Sequence, residues 1–584
     1  MRARGEPVAM VVDRRLRVLF LIAMVLLSLA GMRSVWFAIA KADTLRDRAH
    51  GQQTIQRDVL AMRGEIVDRN GVPLAVTEPA ADVSVSPQQV EELRRQSPGQ
   101  EPIVLARLLA RTLGVDQAET LEKITSRKQF VYIALRVPET KIQRLRDLAA
   151  KKDPRTGRRA ANLVPVHLEP RNRRIYPNQA MAGQLLGGYG DYDKALGGLE
   201  TSLDEVLRGR TGKVLQTQAG SGSALSRRVV EPTVPGKDVE LTLDARIQAK
   251  AEEALQELGQ TYRPKRATAI VMRPDGEVLS MANWPRVDPN DPAGSPQYAK
   301  QNTATNFIYE PGSTFKAVAV AAALQDRVVT PETTFTVPYQ INVADRTIAD
   351  SHPHGTETMT PGRILSQSSN VGAIQVGLRL NERKGKDAFD KWMRRFGFGS
   401  KTGIGLGEEQ GLLLPVDQYS GSTMGNLPIG QGQMVTPIQI ASLYATIAGR
   451  GMRHEPRLVR KVGDKPVAGS DGRRVLRPAV AKEVADMLAG VFEAGGTASA
   501  VKVPGYTLAG KTGTSNVVDP DTGEYVENRN VASIAGFAPA RDPKVVIVVV
   551  AEEPAGGGYG ATVTGPAFAD IARFVLQYQK IPPG

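Results

Sequence analysis

The stretch Glu310-Pro-Gly-Ser-Thr-Phe-Lys-Ala-Val-Ala-Val-Ala-Ala-Ala-Leu324 decides how this chain is read. Pro311 and Gly312 punctuate the backbone, and the alanine-rich run from Ala317 to Leu324 is an apolar helix former that belongs in a core. Two residues separate Ser313 from Lys316. A helix beginning here carries both on one face, with Ser313 in its first turn and Lys316 one turn on. A serine hydroxyl is a weak nucleophile until a base takes its proton. Lysine becomes such a base when neutral, and a helix N-terminus and nearby cations both disfavour its ammonium form. Arginine cannot give up its proton, so Lys316→Arg is expected to disable Ser313.

Two further motifs follow at wide spacing. Ser368-Ser-Asn370 comes after Thr360-Pro-Gly and opens the run Val371 to Leu378, so it reads as a loop entering a helix. Ser368 is a candidate relay between Lys316 and a leaving amine, and Asn370 a candidate to hold Lys316 and a substrate amide. Lys511-Thr-Gly-Thr514 follows Tyr506-Thr-Leu-Ala-Gly, which reads as a strand. Gly513 would let a substrate backbone approach closely, while Lys511, Thr512 and Thr514 offer a cation and hydroxyls to a carboxylate. The backbone N–H groups of Ser313 and Thr514 are the expected oxyanion hole. Taken singly, the motifs are ordinary helix residues, a helix cap and a glycine turn; their order along the chain carries the chemistry.

That ordered triplet resembles the signature shared by class A β-lactamases and penicillin-binding proteins. The resemblance extends well beyond it. Arg63-Gly-Glu-Ile-Val-Asp-Arg-Asn-Gly71, Arg174-Ile-Tyr-Pro177, Gly198-Leu-Glu200 and Leu207-Arg-Gly209 resemble the N-terminal boxes of class B, monofunctional penicillin-binding proteins. Leu241-Thr-Leu-Asp-Ala-Arg-Ile-Gln248 resembles the opening of their transpeptidase domain, and Asp288-Pro-Asn290 and Glu310-Pro-Gly312 also fit. The family implies an α+β fold: an antiparallel sheet flanked by helices, an elongated N-terminal pedestal and a single transmembrane helix. It implies a D,D-transpeptidase in which Ser313 attacks the penultimate D-alanine carbonyl of a stem peptide, and which β-lactams acylate as D-alanyl-D-alanine mimics. Asn370 and Thr512, with Asp350-Ser-His-Pro-His354, look more like the septal, cell-division type (FtsI-like) than the elongation type; sporulation relatives share these features. The implied partners are other division proteins and a membrane-embedded SEDS glycosyltransferase, FtsW-like. No cofactor is implied.

Rival classes meet specific obstacles. A class A β-lactamase needs a deacylating Glu-x-x-Asn, and no glutamate between Asn370 and Lys511 has asparagine three residues on. A β-lactam sensor needs a cytoplasmic signalling domain, and 17 residues before the apolar run are too few for one. The net charge of +14 raises nucleic acid, with basic clusters at Lys151 to Arg159 and Arg171 to Arg174. Aromatics to stack bases are only 5% of the chain, so a surface facing anionic wall polymers or lipid headgroups is the expectation, not nucleic acid. His352 and His354 lack a nearby third ligand, so no metal is expected.

Arg14, Arg15 and Arg17 precede the apolar run Val18 to Met32, which Val35 to Ala40 extends past Arg33. This reaches the roughly 20 residues of a spanning helix. The flanking arginines put the N-terminus in the cytoplasm and the rest outside the cytoplasmic membrane. The expected layout is a tail over residues 1–17, an anchor over 18–40, a non-catalytic pedestal over 41–235 and a transpeptidase domain over 236–584, with Glu231 to Gly236 as linker. Asp43 to Arg57 is expected to be helical, as are Gln89 to Arg95, Ile103 to Leu113, Lys141 to Ala150, Ala245 to Leu258 and Phe568 to Tyr578. Strands are expected at Ala81 to Ser86, Thr268 to Met272, Val278 to Met281, Val531 to Phe537 and Lys544 to Ala551.

Overall fold

The computed structural model describes residues 8–40, 54–97, 99–152, 161–190, 194–218, 224–519 and 524–583. They fall into two compact units, residues 1–61 with 210–234, and residues 62–209 with 235–584.

The first unit contains the helix Val8–Ala40. Its segment Arg14–Ile39 is long and apolar enough to cross a membrane, with a mean hydropathy of 2.2 over an 18-residue stretch. The unit also holds a three-stranded antiparallel sheet, Thr54–Val59, Gly212–Gln218 and Ala224–Glu231 in that order. Of the helix expected over Asp43 to Arg57, residues 43–53 lie outside the described residues. Thr54 to Arg57 are extended instead, paired to Val214–Thr217. A ladder partner some 160 residues away overrides whatever the local pattern prefers.

In the second unit the expected helices appear as Pro87–Gln96, Pro102–Leu113 and Glu139–Ala150. A seven-stranded sheet runs in the order Lys465–Pro466, Val459–Val462, Val239–Leu241, Ile66–Val67, Pro73–Val85, Val131–Pro138, with Val166–Ile175 also paired to Pro73–Val85. Val239–Leu241 pairs with Ile66–Val67 on one side and Val459–Val462 on the other. One sheet therefore takes strands from both sides of the segment Glu231 to Gly236.

The N-terminal segments singled out in the sequence converge on a buried ion network. Glu200 is fully buried and accepts from Arg63 Nε at 2.6 Å and Arg174 Nε at 2.7 Å. Arg63 Nη1 also reaches Asp204 at 2.6 Å, and Arg174 Nη1 donates to the Gly64 carbonyl at 2.7 Å. Nearby, Arg171 pairs with Asp82 at 2.8 Å and Arg173 with Glu78 at 3.2 Å. The basic cluster at 171–174 is thus matched to carboxylates; most of the cluster at 151–159 lies outside the described residues.

A second large sheet has five antiparallel strands: β1 (Arg266–Met272), β2 (Val278–Trp284), β3 (Ala509–Val518), β4 (Tyr525–Ala538) and β5 (Val545–Glu552), in the order β2-β1-β5-β4-β3. β5 is buried at every residue, which explains its unbroken apolar sequence. Ile547, Val549 and Ala551 face one core with helices α1 (Ala245–Tyr262) and α4 (Gly560–Tyr578). Val546, Val548 and Val550 face the other, with the helical block that carries α2 (Lys316–Gln325) and α3 (Asn370–Lys384). A sheet covered on both faces needs no polar alternation. This is the α+β architecture the motifs implied. α4 begins at Gly560, eight residues before its expected start.

Candidate active site

Ser313 sits in a 3-10 turn, Gly312–Phe315, that feeds directly into α2. The expected first α-helical turn is tightened into this 3-10 turn, and Lys316 is the first residue of α2 after it. Two close approaches impose this. Gly312 has φ +54, and its N–H bonds the Gly430 carbonyl at 3.0 Å. A Cβ on Gly430 would lie 2.1 Å from the Gly312 carbonyl, and one on Gly312 would lie 3.0 Å from the Thr514 carbonyl. The backbones of the first and third motifs are therefore in direct contact. Tyr444 Oη donates to the Thr314 carbonyl at 2.9 Å and holds the turn from beneath.

α2 is buried from Lys316 through Leu324. Lys316 Nζ donates to the Ser368 carbonyl at 2.6 Å and Asn370 Oδ1 at 2.7 Å, and lies 3.2 Å from Ser368 Oγ. The second motif is a break between two helices rather than a loop entering one. The helix Pro361–Gln367 ends at Ser368, whose φ is +63, and Ser369 caps α3 by accepting from Gly372 N at 2.9 Å. That break leaves both the carbonyl and the hydroxyl of Ser368 facing Lys316. Asn370 Nδ2 is committed to the Ala349 carbonyl at 2.9 Å, so Asn370 is tied to the neighbouring strand as well as to Lys316.

Burial pushes the Lys316 amine down to about 7, against the opposing pull of the Asp350 carboxylate. Asp350 is the partner that sequence reading passed over. Its Oδ1 accepts from Asn370 N and from Val371 N at 2.9 Å, and its Oδ2 from Ser369 Oγ at 2.7 Å. It thus caps α3 from outside the helix, a favourable place for a carboxylate. His354 Nε2 stands 3.0 Å from the same Oδ2, while the His352 ring packs edge-on to Tyr559 at 6.3 Å. The two histidines diverge, each with a partner of its own.

Lys511-Thr-Gly-Thr514 lies within β3 itself, not after a strand. Alternation along β3 buries Lys511 completely and brings Thr512 and Thr514 to the cleft surface. Burial, then repulsion from Lys316, holds the Lys511 amine well below its usual range. A Cβ at Gly513 would meet Ser533 Oγ at 2.6 Å and Pro311 O and Thr314 Cγ2 at 3.0 Å. Packing of β3 on the Ser313 turn thus itself requires a glycine here, and Gly513 also lines the cleft. Thr512 Oγ1 is 2.9 Å from Thr497 Oγ1, and Thr514 Oγ1 accepts from Gly560 N at 3.0 Å. Thr497 had no signal in the sequence, since it belongs to no motif. All three motifs thus meet around one cleft of about 650 Å³, with Ser313, Ser368, Asn370, Thr512 and Thr514 on its lining and both lysines behind it.

The arrangement suits acyl transfer: a serine on a rigid turn, a lysine amine near neutrality beneath it, and a strand edge opposite. Two family models match the chain, the penicillin-binding protein dimerisation domain over residues 58–241 and the penicillin-binding protein transpeptidase domain over residues 267–573. Penicillin-binding protein PbpB of Mycolicibacterium smegmatis is 32% identical over 596 residues, spanning 95% of this chain and 89% of the relative. The peptidoglycan D,D-transpeptidase FtsI of Escherichia coli is 31% identical over 565 residues, spanning 96% and 91%. The crystal structure of penicillin-binding protein 3 from Mycobacterium tuberculosis complexed with aztreonam superposes with a TM-score of 0.69 at 29% identity, covering 90% of this chain and 98% of that one.

Proposed function

Because the chain belongs to the class B penicillin-binding proteins, peptidoglycan D,D-transpeptidases, we propose that it cross-links stem peptides through an acyl-enzyme on Ser313. The observation that carries this reading is the Lys316 amine, brought to about 7 by burial and held by the second motif. Ser313 Oγ attacks the penultimate D-alanine carbonyl while Lys316 Nζ takes its proton. The oxyanion forms between the N–H groups of Ser313 and Thr514. The C–N bond then breaks, and the proton passes from Lys316 by way of Ser368 to the departing D-alanine amine. An acceptor amine attacks the ester and gives a proton to Lys316, which passes it to Ser313 Oγ as the Oγ–acyl bond breaks, restoring the hydroxyl and the neutral amine. The hydroxyls of Thr512 and Thr514 receive the terminal carboxylate, which is also the counter-charge that buried Lys511 lacks. A β-lactam follows the same first step, its ring opening onto Ser313.

The test is intact-mass spectrometry of the region from about Ala42 after brief exposure to a penicillin, beside a Ser313→Ala control. One ring-opened adduct, absent from the variant, is the expected result. Intact drug without adduct favours a scaffold, and hydrolysed drug without adduct a β-lactamase.

The finer assignment is septal wall synthesis. It rests on Asn370, Thr512 and the Asp350–His354 segment, which look septal rather than elongation-type, with a sporulation role as the alternative. The helix over Arg14–Ile39 would anchor the chain once in the cytoplasmic membrane, N-terminus inside and catalytic region outside. The division proteins and the FtsW-like SEDS glycosyltransferase are the partners this role requires. A fluorescent fusion that gathers at midcell supports it; one spread along the lateral wall points to elongation.

A further inference from the structure

We propose that Arg346 reads a carboxylate on the acyl-donor chain upstream of its scissile D-alanyl-D-alanine, so that the cleft selects donors that are anionic there over neutral ones. This rests on the transpeptidase reading above. Among the described residues, Arg346 is the one Lys, Arg, Asp or Glu side chain on the cleft lining. It is exposed and makes no hydrogen bond or ion pair among those residues. Arg363, by contrast, is paired with Glu357 at 2.6 Å.

The position of Arg346 is set by a tight hairpin. Gln340–Val343 pairs with Arg346–Ala349 across a two-residue turn, with Ala344 at φ +52, and Thr347 Oγ1 donates to Asn342 Oδ1 at 2.7 Å. This strand forms the wall of the cleft that faces β3. The guanidinium is presented from a short, pinned ladder and not from a loose loop.

The direction of a bound donor follows from two anchors. β3 is the edge of its sheet, and a free edge takes an extended peptide as an added strand. Of the two hydroxyls assigned to the terminal carboxylate, that of Thr512 lies beyond Thr514, whose N–H takes the scissile carbonyl one residue upstream. A donor with its C-terminus at 512 and its next carbonyl at 514 runs antiparallel to β3. Its upstream residues then point toward the far end of β3, where Val518 pairs with Tyr525 of β4. On the facing wall, Ala349 lies at the second motif, its carbonyl accepting from Asn370 Nδ2 at 2.9 Å, and Arg346 stands three residues back along the same strand, where its charge is felt by the Tyr525 phenol. The carboxylate it meets is therefore an upstream one, not the terminal one.

Benzylpenicillin and carbenicillin test this, because they differ by one carboxylate on the acyl side chain and share the ring carboxylate. The readout is the ratio of their second-order acylation rates. For Arg346→Ala the carbenicillin-to-benzylpenicillin ratio should fall about five-fold, as for a partly exposed charge pair, and for Arg346→Glu further still. In the wild type the ratio should fall with added sodium chloride, and in Arg346→Ala it should not. An unchanged ratio overturns the proposal, including the case in which both drugs slow equally, because Arg346 would then read the carboxylate they share. If neither drug acylates the wild type, the transpeptidase reading itself falls, and this inference with it.

Discussion

Two of the buried charge groups among the described residues are built in opposite ways. Around Glu200, two arginines face two carboxylates and every charge has a counter-charge within 2.7 Å. Around Lys316 stand a second lysine, Lys511, and one carboxylate, Asp350, whose oxygens already serve Asn370 N, Val371 N and Ser369 Oγ. Burial works to lower Arg63, but Glu200 and Asp204 outweigh it, so the guanidinium stays charged. The lysines have no such compensation and drift toward neutrality. Arginine keeps its proton under all ordinary conditions, whereas lysine yields it when desolvated. The first group can only hold the N-terminal region together; the second can accept and return a proton.

Breaking the balanced group should have the largest effect on stability. Glu200→Ala leaves two buried guanidinium groups facing each other and should cost about 3–5 kcal/mol in denaturant unfolding. Acylation of the fraction that stays folded should change little. In the unbalanced group the effect should fall on rate. Lys316→Arg should slow acylation by a penicillin about a thousand-fold in stopped-flow assays, because its proton cannot leave.

The titration of Lys316 sharpens the contrast further. Between pH 7 and 10.5 the unfolded chain carries a proton on this lysine that the folded chain lacks. Folding stability therefore rises with pH across that window, by about 1.4 kcal/mol per pH unit for one proton. Lys316→Met should remove that lysine's share of the slope and leave the share of Lys511, read from unfolding curves at pH 7.5 and 9. Acylation itself should climb through pH 7 as the amine deprotonates. Asp350→Asn removes the charge that holds the amine up, so the climb should move to lower pH, and the lost cap should cost about 1–2 kcal/mol. The smallest change is Thr497→Val, which removes the partner of the Thr512 hydroxyl. It should cost about 0.5–1.5 kcal/mol and weaken acylation without moving its pH midpoint.

The catalytic helix, the β5 run and the central strands were readable because each is a local pattern: an alanine-rich stretch after Pro-Gly, and β-branched residues in unbroken series. The three motifs were readable as chemistry for the same reason. Asp350 was not, since its role as a cap for α3 depends on a contact across some 20 residues and through a hairpin. Arg63 and Glu200 stood in separate segments, 137 residues apart, with nothing local to say that they touch. The strand at Thr54–Val59 was missed because its partner at 212–217 alone makes it extended.

By itself the sequence determined the membrane-length helix, the serine and lysine of the first motif as candidates, and the order of the elements, because hydrophobic periodicity and residue chemistry act over a few positions. Tertiary structure decided the rest. It turned the first helical turn into a 3-10 turn by pressing Gly312 against Gly430 and Thr514. It folded Ser368 toward Lys316, and it sealed both lysines away from water. A proton affinity depends on the dielectric and charges around a group, and those belong to the packed fold and not to any stretch of chain.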